Sequence, residues 1–306
     1  MKKNKIGELI TYSKEIKEAI KKGIPIVALE SSIISHGMPY PHSLEMAKEI
    51  EDLIRSHGAR PATLAILDGK INVGLDAEIL DAFAKAKNIV KVSSNNFEAT
   101  LFSKEPGGTT VAGSLKICDL LSIKTFVTGG IGGVHRDFDQ NFDVSPDLQE
   151  IKSSNVITIS AGPKSILDVK KTFEAIETLG IQVFSIGQKN LPAFWYKDSG
   201  LQAPNRLESP LAVSEIFQIK EKLNNKNGIL VCNPIPKNYA LKKSELEPLI
   251  ENGLKKLQGN VFSGKKLTPA ILDHLFKETK GKTLKSNIEL VKNNAIFGAK
   301  VALGLN

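Results

Sequence analysis

Only two cysteines occur in this 306-residue sequence, Cys118 and Cys232, far apart and each inside an apolar segment. That scarcity excludes a disulfide-built fold and a cysteine-rich zinc module, and it predicts two buried free thiols in a reducing compartment. No apolar run approaches membrane-spanning length, so a membrane partner is not expected. The lysine-rich start, Met1 to Lys5, is followed by no h-region or cleavage site, and a cytoplasmic protein is expected. Arginine is sparse beside lysine, and no aromatic-interleaved basic run exists. The formal charge of +8 comes from lysines set beside acids, as in Lys14-Glu15, Lys48-Glu49 and Lys220-Glu221-Lys222. It describes a solvated surface and not a nucleic-acid footprint. A positive field still favours capture of a small phosphate-bearing substrate.

What is present is an ordinary globular composition, 41% hydrophobic and 24% charged, with neither Pro nor Gly in excess. Strand-like segments fall near 24–29, 62–67, 70–73, 89–93, 124–128, 156–160, 183–187 and 228–233. Between them, helical spacing predicts helices near 8–22, 43–57, 76–87, 110–122, 165–179, 210–224, 243–258, 267–279 and 284–303. Asp68-Gly69 is the dipeptide of a two-residue hairpin turn. Ser209 before Pro210 marks a helix start, a capping hydroxyl followed by proline at the first helical position. The alternation predicts a three-layer α/β/α fold with a mixed, mostly parallel sheet, as one domain over residues 1–306.

Four clusters carry chemistry. In the first, an apolar run ends in Glu30, followed by hydroxyls (Ser31, Ser32, Ser35), the imidazole of His36 and a turn at Gly37. Ligands gather where buried strands of open α/β sheets end, and a carboxylate there is either capping nearby amides or being used. The second, Thr128 to Arg136, follows a strand and holds Gly129, Gly130, Gly132 and Gly133. It matches neither the P-loop nor the dinucleotide fingerprint. It is either a flexible loop or a nest for an anion, and His135-Arg136 favour the anion. Gly107-Gly108-Thr109-Thr110 opens a helix and offers further amides and hydroxyls. In the third, Asn141 to Asp147, Ser145, Pro146 and Asp147 account for a helix start, which leaves Asp143 over. A lone loop carboxylate with water is a common way to hold Mg²⁺ or Mn²⁺. In the fourth, Lys164 stands in a Gly-Pro turn just after a strand. It is a phosphate contact, a Schiff-base amine or a surface lysine, and the residues alone rank these equally.

Taken in order, Ala28-Leu29-Glu30-Ser31, Ile33 to Pro39, Thr128 to Arg136, Phe142-Asp143, Ala161-Gly162 with Lys164 to Asp168, Leu191 to Phe194, Asn233 to Pro236 and Leu284 to Ile288 closely resemble the pseudouridine-5'-phosphate glycosidase family. That family includes the proteins once called indigoidine synthase A. The resemblance covers nearly the whole chain. It implies an enzyme, a lyase-like glycosidase that reversibly cleaves pseudouridine 5'-phosphate into uracil and ribose 5-phosphate with one Mn²⁺ per subunit, assembled as a homotrimer. It also implies Lys164 as nucleophile through a Schiff base, Glu30 as proton donor and Asp143 as metal ligand. Lys91, Val111, Ser145, Pro146 and Asp147 then correspond to substrate-binding positions. Thr110, Gly132, Gly133 and His135, read from the residues, join them, with Asn287 from the last motif. The chain departs from the family pattern at Ser32, Pro146 and Pro163. It departs further at Ser94-Asn95-Asn96, where a basic pair is expected after Ser93. Two alternatives share the lysine and the phosphate loop: a Schiff-base aldolase acting on another sugar phosphate, and a non-catalytic sugar-phosphate-binding relic.

Overall fold

The computed structural model describes residues 5–258 and 267–306, so Lys2 and Lys3 lie outside the described residues. Among the described residues eleven strands form one sheet: β1 (Ile10–Tyr12), β2 (Ile26–Leu29), β3 (Arg60–Leu67), β4 (Lys70–Val73), β5 (Val90–Val92), β6 (Gly107–Thr109), β7 (Thr125–Val127), β8 (Ile157–Ser160), β9 (Gln182–Ile186), β10 (Asn205–Leu207) and β11 (Ile229–Cys232). Their order is β1-β4-β3-β2-β7-β8-β11-β9-β10, with β6 on β3 and β5 on β6. The pairings are parallel except β3 with β4 and β3 with β6. The sheet is thus mixed and mostly parallel, as the alternation of segments predicts.

Alternate strand residues feed two cores. Val27, Leu29, Val127, Ile157, Ile159, Ile229 and Val231 face one side. Ala28, Phe126, Leu230 and Cys232 face the other. Successive side chains point to opposite faces of a strand, so a continuous apolar run is what a sheet covered on both faces requires. Twelve helices are described: α1 (Lys14–Lys22), α2 (His42–Ser56), α3 (Ala77–Lys85), α4 (Phe97–Ser103), α5 (Val111–Leu120), α6 (Phe138–Asn141), α7 (Asp147–Ser153), α8 (Val169–Thr178), α9 (Pro210–Lys222), α10 (Lys243–Gln258), α11 (Leu267–Glu278) and α12 (Lys282–Gly304). Residues of α2, α9, α10, α11 and α12 close the first core. Residues of α1, α4, α5, α7 and α8 close the second. Three layers result. None of the described helices is long and apolar enough to cross a membrane. Cys118 and Cys232 are buried and free, and burial pushes both thiols far above their ordinary range.

Local chemistry explains where the elements begin. Ser209 accepts from the Ala212 amide and Pro210 opens α9, as its sequence predicts. Asp68 and Gly69 both take positive φ, 52° and 73°, the conformation of a type I′ hairpin turn. Three expectations need correction. The helix expected over 8–22 begins at Lys14, because Ser13 caps it by accepting from the Ile16 amide at 3.2 Å. Ile10, Thr11 and Tyr12 before that cap, two β-branched residues and an aromatic, pair with β4 as an edge strand. The helix expected from 165 begins at Val169, where Asp168 accepts from the Lys171 amide at 3.0 Å. Gly107–Thr109 is not a loop but the strand β6, which runs antiparallel beside β3. Thr110 then caps α5.

Candidate active site

From β2 the chain passes to its neighbour β3, and from β7 it passes to its neighbour β8 on the opposite side. The carboxyl ends of β2 and β7 therefore flank a switch point in the sheet, where a crevice opens between diverging connections. Glu30 is the first residue after β2 and Thr128 the first after β7. Across that crevice the Thr128 hydroxyl donates to Glu30 Oε1, and the Ser32 hydroxyl donates to Oε2. Both carboxylate oxygens are thus satisfied by hydroxyls, and the side chain is held half-buried at the strand end. One strand further, β8 runs into the turn that carries Lys164. Its Nζ donates to the Gly130 carbonyl at 2.8 Å, and its own amide donates to the Ile131 carbonyl at 3.0 Å.

The hydroxyl cluster after β2 divides its work. Ser31 is fully buried, donating to the Leu64 carbonyl, accepting from the Thr109 amide, and knitting β2, β3 and β6 together. Ser32 orients Glu30. Ser35 meets His36 Nδ1 at 2.7 Å, while His36 Nε2 faces the Ile89 carbonyl at 3.0 Å. Burial, and after it the nearby Lys91 ammonium, hold the His36 imidazole below its ordinary proton affinity.

Two lobes meet at these residues. The polar lobe, a cavity of about 290 Å³, brings together Glu30, Lys91, Thr110, Val111, Gly132, His135, Asp143, Ser145, Pro146, Asp147 and Lys164. The second lobe, about 80 Å³, also has Glu30, Lys91 and Lys164 on its wall, with Ser32, His36, Thr128 and Thr268, and adds the apolar side chains of Ile33, Met38, Phe194, Leu272 and Val291. Asn287 lies on that second wall, and Trp195 Nε1 donates to its Oδ1 at 2.6 Å, which sets the orientation of the amide.

Several residues singled out in the sequence do different work from that expected of them. Asp147 is buried, with Oδ1 accepting from the Ala112 amide at 3.0 Å and Oδ2 from the Gly132 amide at 2.8 Å. It ties the start of α5 to the glycine loop, and both oxygens are spent on backbone. The glycine loop is correspondingly not an open anion nest. The Gly132 amide is committed to Asp147, and those of Ile131, Val134 and His135 donate to Gly162, Thr172 and Asp143. Its glycines serve close approach instead, since a Cβ on Gly132 would run into the Ser145 side chain. Gly133 lies behind the cavity wall, its carbonyl accepting from the Ser145 amide at 2.9 Å. Arg136 turns away from both lobes. It donates to the Ser165 and Ile166 carbonyls and pairs with Glu247 at 2.7 Å. His135 stays, with Nε2 at 3.9 Å from Asp143 Oδ2.

Thr128, Phe194 and the α11 residues Thr268 and Leu272 line the lobes without having been singled out individually. Thr128 had a legible signal, a hydroxyl at the first position after a buried strand. The α11 residues had none, because their approach depends on a helix packed from far along the chain.

Residues 15–304 match the family model described as Indigoidine synthase A like protein. A protein of Petrotoga mobilis named pseudouridine-5'-phosphate glycosidase is 47% identical over 297 residues, covering 97% of each chain. A Staphylococcus aureus protein of the same name is 44% identical over 301 residues, covering 98% of each. Among solved structures, the prealnumycin C-glycosynthase AlnA in complex with ribulose 5-phosphate superposes with a TM-score of 0.89 at 31% identity, over 97% of each chain. An indigoidine synthase A-like protein of Thermotoga maritima does so with a TM-score of 0.88 at 32% identity, over 97% of this chain and 96% of that one.

Proposed function

The chain belongs to the indigoidine synthase A-like family, and we propose that it reversibly cleaves the C–C glycosidic bond of pseudouridine 5'-phosphate, giving uracil and ribose 5-phosphate. The observation that carries this reading is the placement of Glu30 and Lys164 on the wall shared by two lobes, of which one carries Met38, Phe194, Leu272 and Val291 and the other Asp143, His135 and Ser145. A C-nucleotide has that division built in, a flat base on one side of the scissile bond and a charged sugar on the other. The base is assigned to the lobe of Met38, Phe194, Leu272 and Val291, with the oriented Asn287 amide to read its polar edge. The sugar phosphate is assigned to the polar lobe, against Lys91, the opening of α5 at Thr110 and Val111, and Ser145.

Ordinary glycosidases protonate a departing oxygen between two carboxylates. Here the leaving atom is carbon, and the pairing of one carboxyl with one amine suits that difference. The Lys164 amine attacks C1', and O4' leaves as a hydroxyl on taking a proton from Glu30, which opens the sugar. The C1'–C5 bond then breaks as the nitrogen lone pair forms an imine at C1', and a proton is delivered to uracil C5. Water hydrolyses the imine to ribose 5-phosphate and returns the lysine. Ser32 and Thr128 hold the Glu30 carboxyl in reach throughout.

Mn²⁺, one per subunit, belongs to the same proposal, as does a homotrimeric assembly. Among the described residues no group of three His, Cys, Asp or Glu side chains gathers to hold a metal. A hard divalent ion held by one carboxylate and water needs no such group, and Asp143 beside His135 and Ser145 in the polar lobe fits that donor set. Such an ion supplies fixed positive charge to sugar and phosphate oxygens. Asp143→Ala is expected to weaken Mn²⁺ binding measured by calorimetry and to lower activity about tenfold or more. Mn²⁺ affinity equal to that of the parent removes Asp143 from the metal site.

The function is tested in the synthetic direction, by incubating the enzyme with uracil and ribose 5-phosphate and following the loss of uracil absorbance. Consumption of uracil supports the reading. Turnover of ribose 5-phosphate with uracil untouched points to an aldolase, and binding without turnover to a relic.

A further inference from the structure

Lys91 sits on a strand with little to hold it. β5 has three residues and pairs with β6 alone. In that parallel pair Val90 donates to the Pro106 carbonyl and Val92 accepts from the Thr110 amide, both at 2.8 Å. The residues in between point their backbone groups the other way, so the carbonyls of Ile89 and Lys91 both lie on the edge away from β6. Each of the two carbonyls receives a side-chain donor. His36 Nε2 reaches Ile89 O at 3.0 Å, and Asn96 Nδ2 reaches Lys91 O at 3.3 Å.

We propose that His36 and Asn96 are positioning residues that clasp the outer edge of β5 on either side of Val90 and so set the reach of Lys91 into the cavity. The chemistry of both side chains fits this task. A carbonyl only accepts, so His36 carries its proton on Nε2, and Nδ1 is left to accept from Ser35 at 2.7 Å, in preference to the longer 3.2 Å approach of that hydroxyl to the Ser31 carbonyl. Both ring nitrogens are thereby engaged with protein, although the ring also borders the second lobe. Ser35 in turn packs against β6 so closely that a Cβ on Gly108 would collide with its hydroxyl. The His36 turn is therefore fitted to both strands of the β5–β6 pair. Asn96 bridges two points of the backbone, since its Oδ1 also accepts from the Ser93 amide at 2.8 Å. That fixes the turn leaving β5 at the wall of the polar lobe, in the stretch where the chain departs from the family pattern.

The proposal rests on Lys91 being a contact for the sugar phosphate, and its test separates the two ideas. Steady-state kinetics on pseudouridine 5'-phosphate are measured for His36→Ala, Asn96→Asp, Lys91→Ala and the double variant His36→Ala/Lys91→Ala. Amide hydrogen exchange is followed across residues 89–92. Asn96→Asp keeps the acceptor for the Ser93 amide, takes away the donor to the Lys91 carbonyl and adds a negative charge, so its exchange rates, rather than its KM, serve should His36→Ala fold poorly. His36→Ala is expected to raise KM about tenfold with kcat within about threefold. Exchange at 89–92 is expected to quicken in both His36→Ala and Asn96→Asp. With Lys91 already replaced, His36→Ala is expected to change KM less than about twofold, because two residues acting through one contact do not add. An undiminished effect of His36→Ala in the Lys91→Ala background, or unchanged exchange at 89–92, overturns the clasp. If Lys91→Ala leaves KM unmoved, the substrate role of Lys91 fails, and the exchange rates alone decide the clasp.

Discussion

Lys164→Ala is expected to abolish turnover, lowering kcat by about 10⁴-fold or more, the scale on which removal of a covalent nucleophile acts. The side chain leaves the end of β8 within a turn tied to the glycine loop, its Nζ donating to the Gly130 carbonyl at 2.8 Å. It stands where both lobes meet, on the same wall as Lys91. An imine between that amine and ribose 5-phosphate is reducible. Borohydride added with ribose 5-phosphate should therefore trap a sugar-phosphate adduct, and peptide mapping should place it on Lys164. Lys164→Ala should give neither adduct nor cleavage, while sugar-phosphate binding persists through Lys91 and the opening of α5. An adduct on Lys91, the other amine on the same wall, or substantial residual activity in Lys164→Ala, would show the nucleophile misassigned.

Glu30→Gln should lower kcat by about 10²–10⁴-fold, the range of a lost general acid, and leave KM for the sugar phosphate nearly unchanged. The amide has the shape of the carboxyl and keeps an acceptor for one of the two hydroxyls that flank it. At the other oxygen position it presents an NH₂ donor where a donor already points. Ser32 or Thr128 must then rotate, so a small loss of stability is expected along with the loss of chemistry. Near-normal turnover by Glu30→Gln removes this residue from proton transfer.

Both residues were singled out in the sequence by position, while the roles proposed for them rest on the resemblance. A carboxylate or an amine placed at the end of a buried apolar run contradicts local solvation, and such contradictions mark use. Glu30 breaks the apolar pattern directly after Ile26–Leu29, and Lys164 follows Ile157–Ser160 across the turn Ala161-Gly162-Pro163. Asp143 stood out by a weaker rule, as the acid that helix capping did not consume. The glycine loop was misread because glycine signals freedom or closeness without saying which. Here it is closeness, and the Gly132 amide that seemed suited to phosphate is occupied by Asp147. Arg136 was misread because a guanidinium has reach, and the partner that drew it off, Glu247, lies 111 positions along the chain.

The sequence by itself determined the three-layer architecture, the helix start at Ser209, the hairpin at Asp68-Gly69 and the location of Glu30 and Lys164 beyond strand ends. All of these follow from periodicity and from interactions within a few residues, which a linear reading can weigh. Only the tertiary structure decided which hydroxyl meets Glu30, that α11 and Phe194 wall the second lobe, and that His36 reaches the edge of the strand bearing Lys91. Those contacts join residues tens to hundreds of positions apart, and they exist because sheet order places β2 beside β7 and β6 beside β5. Strand neighbours are chosen by the packing of two whole faces at once, and no short stretch of sequence carries that information.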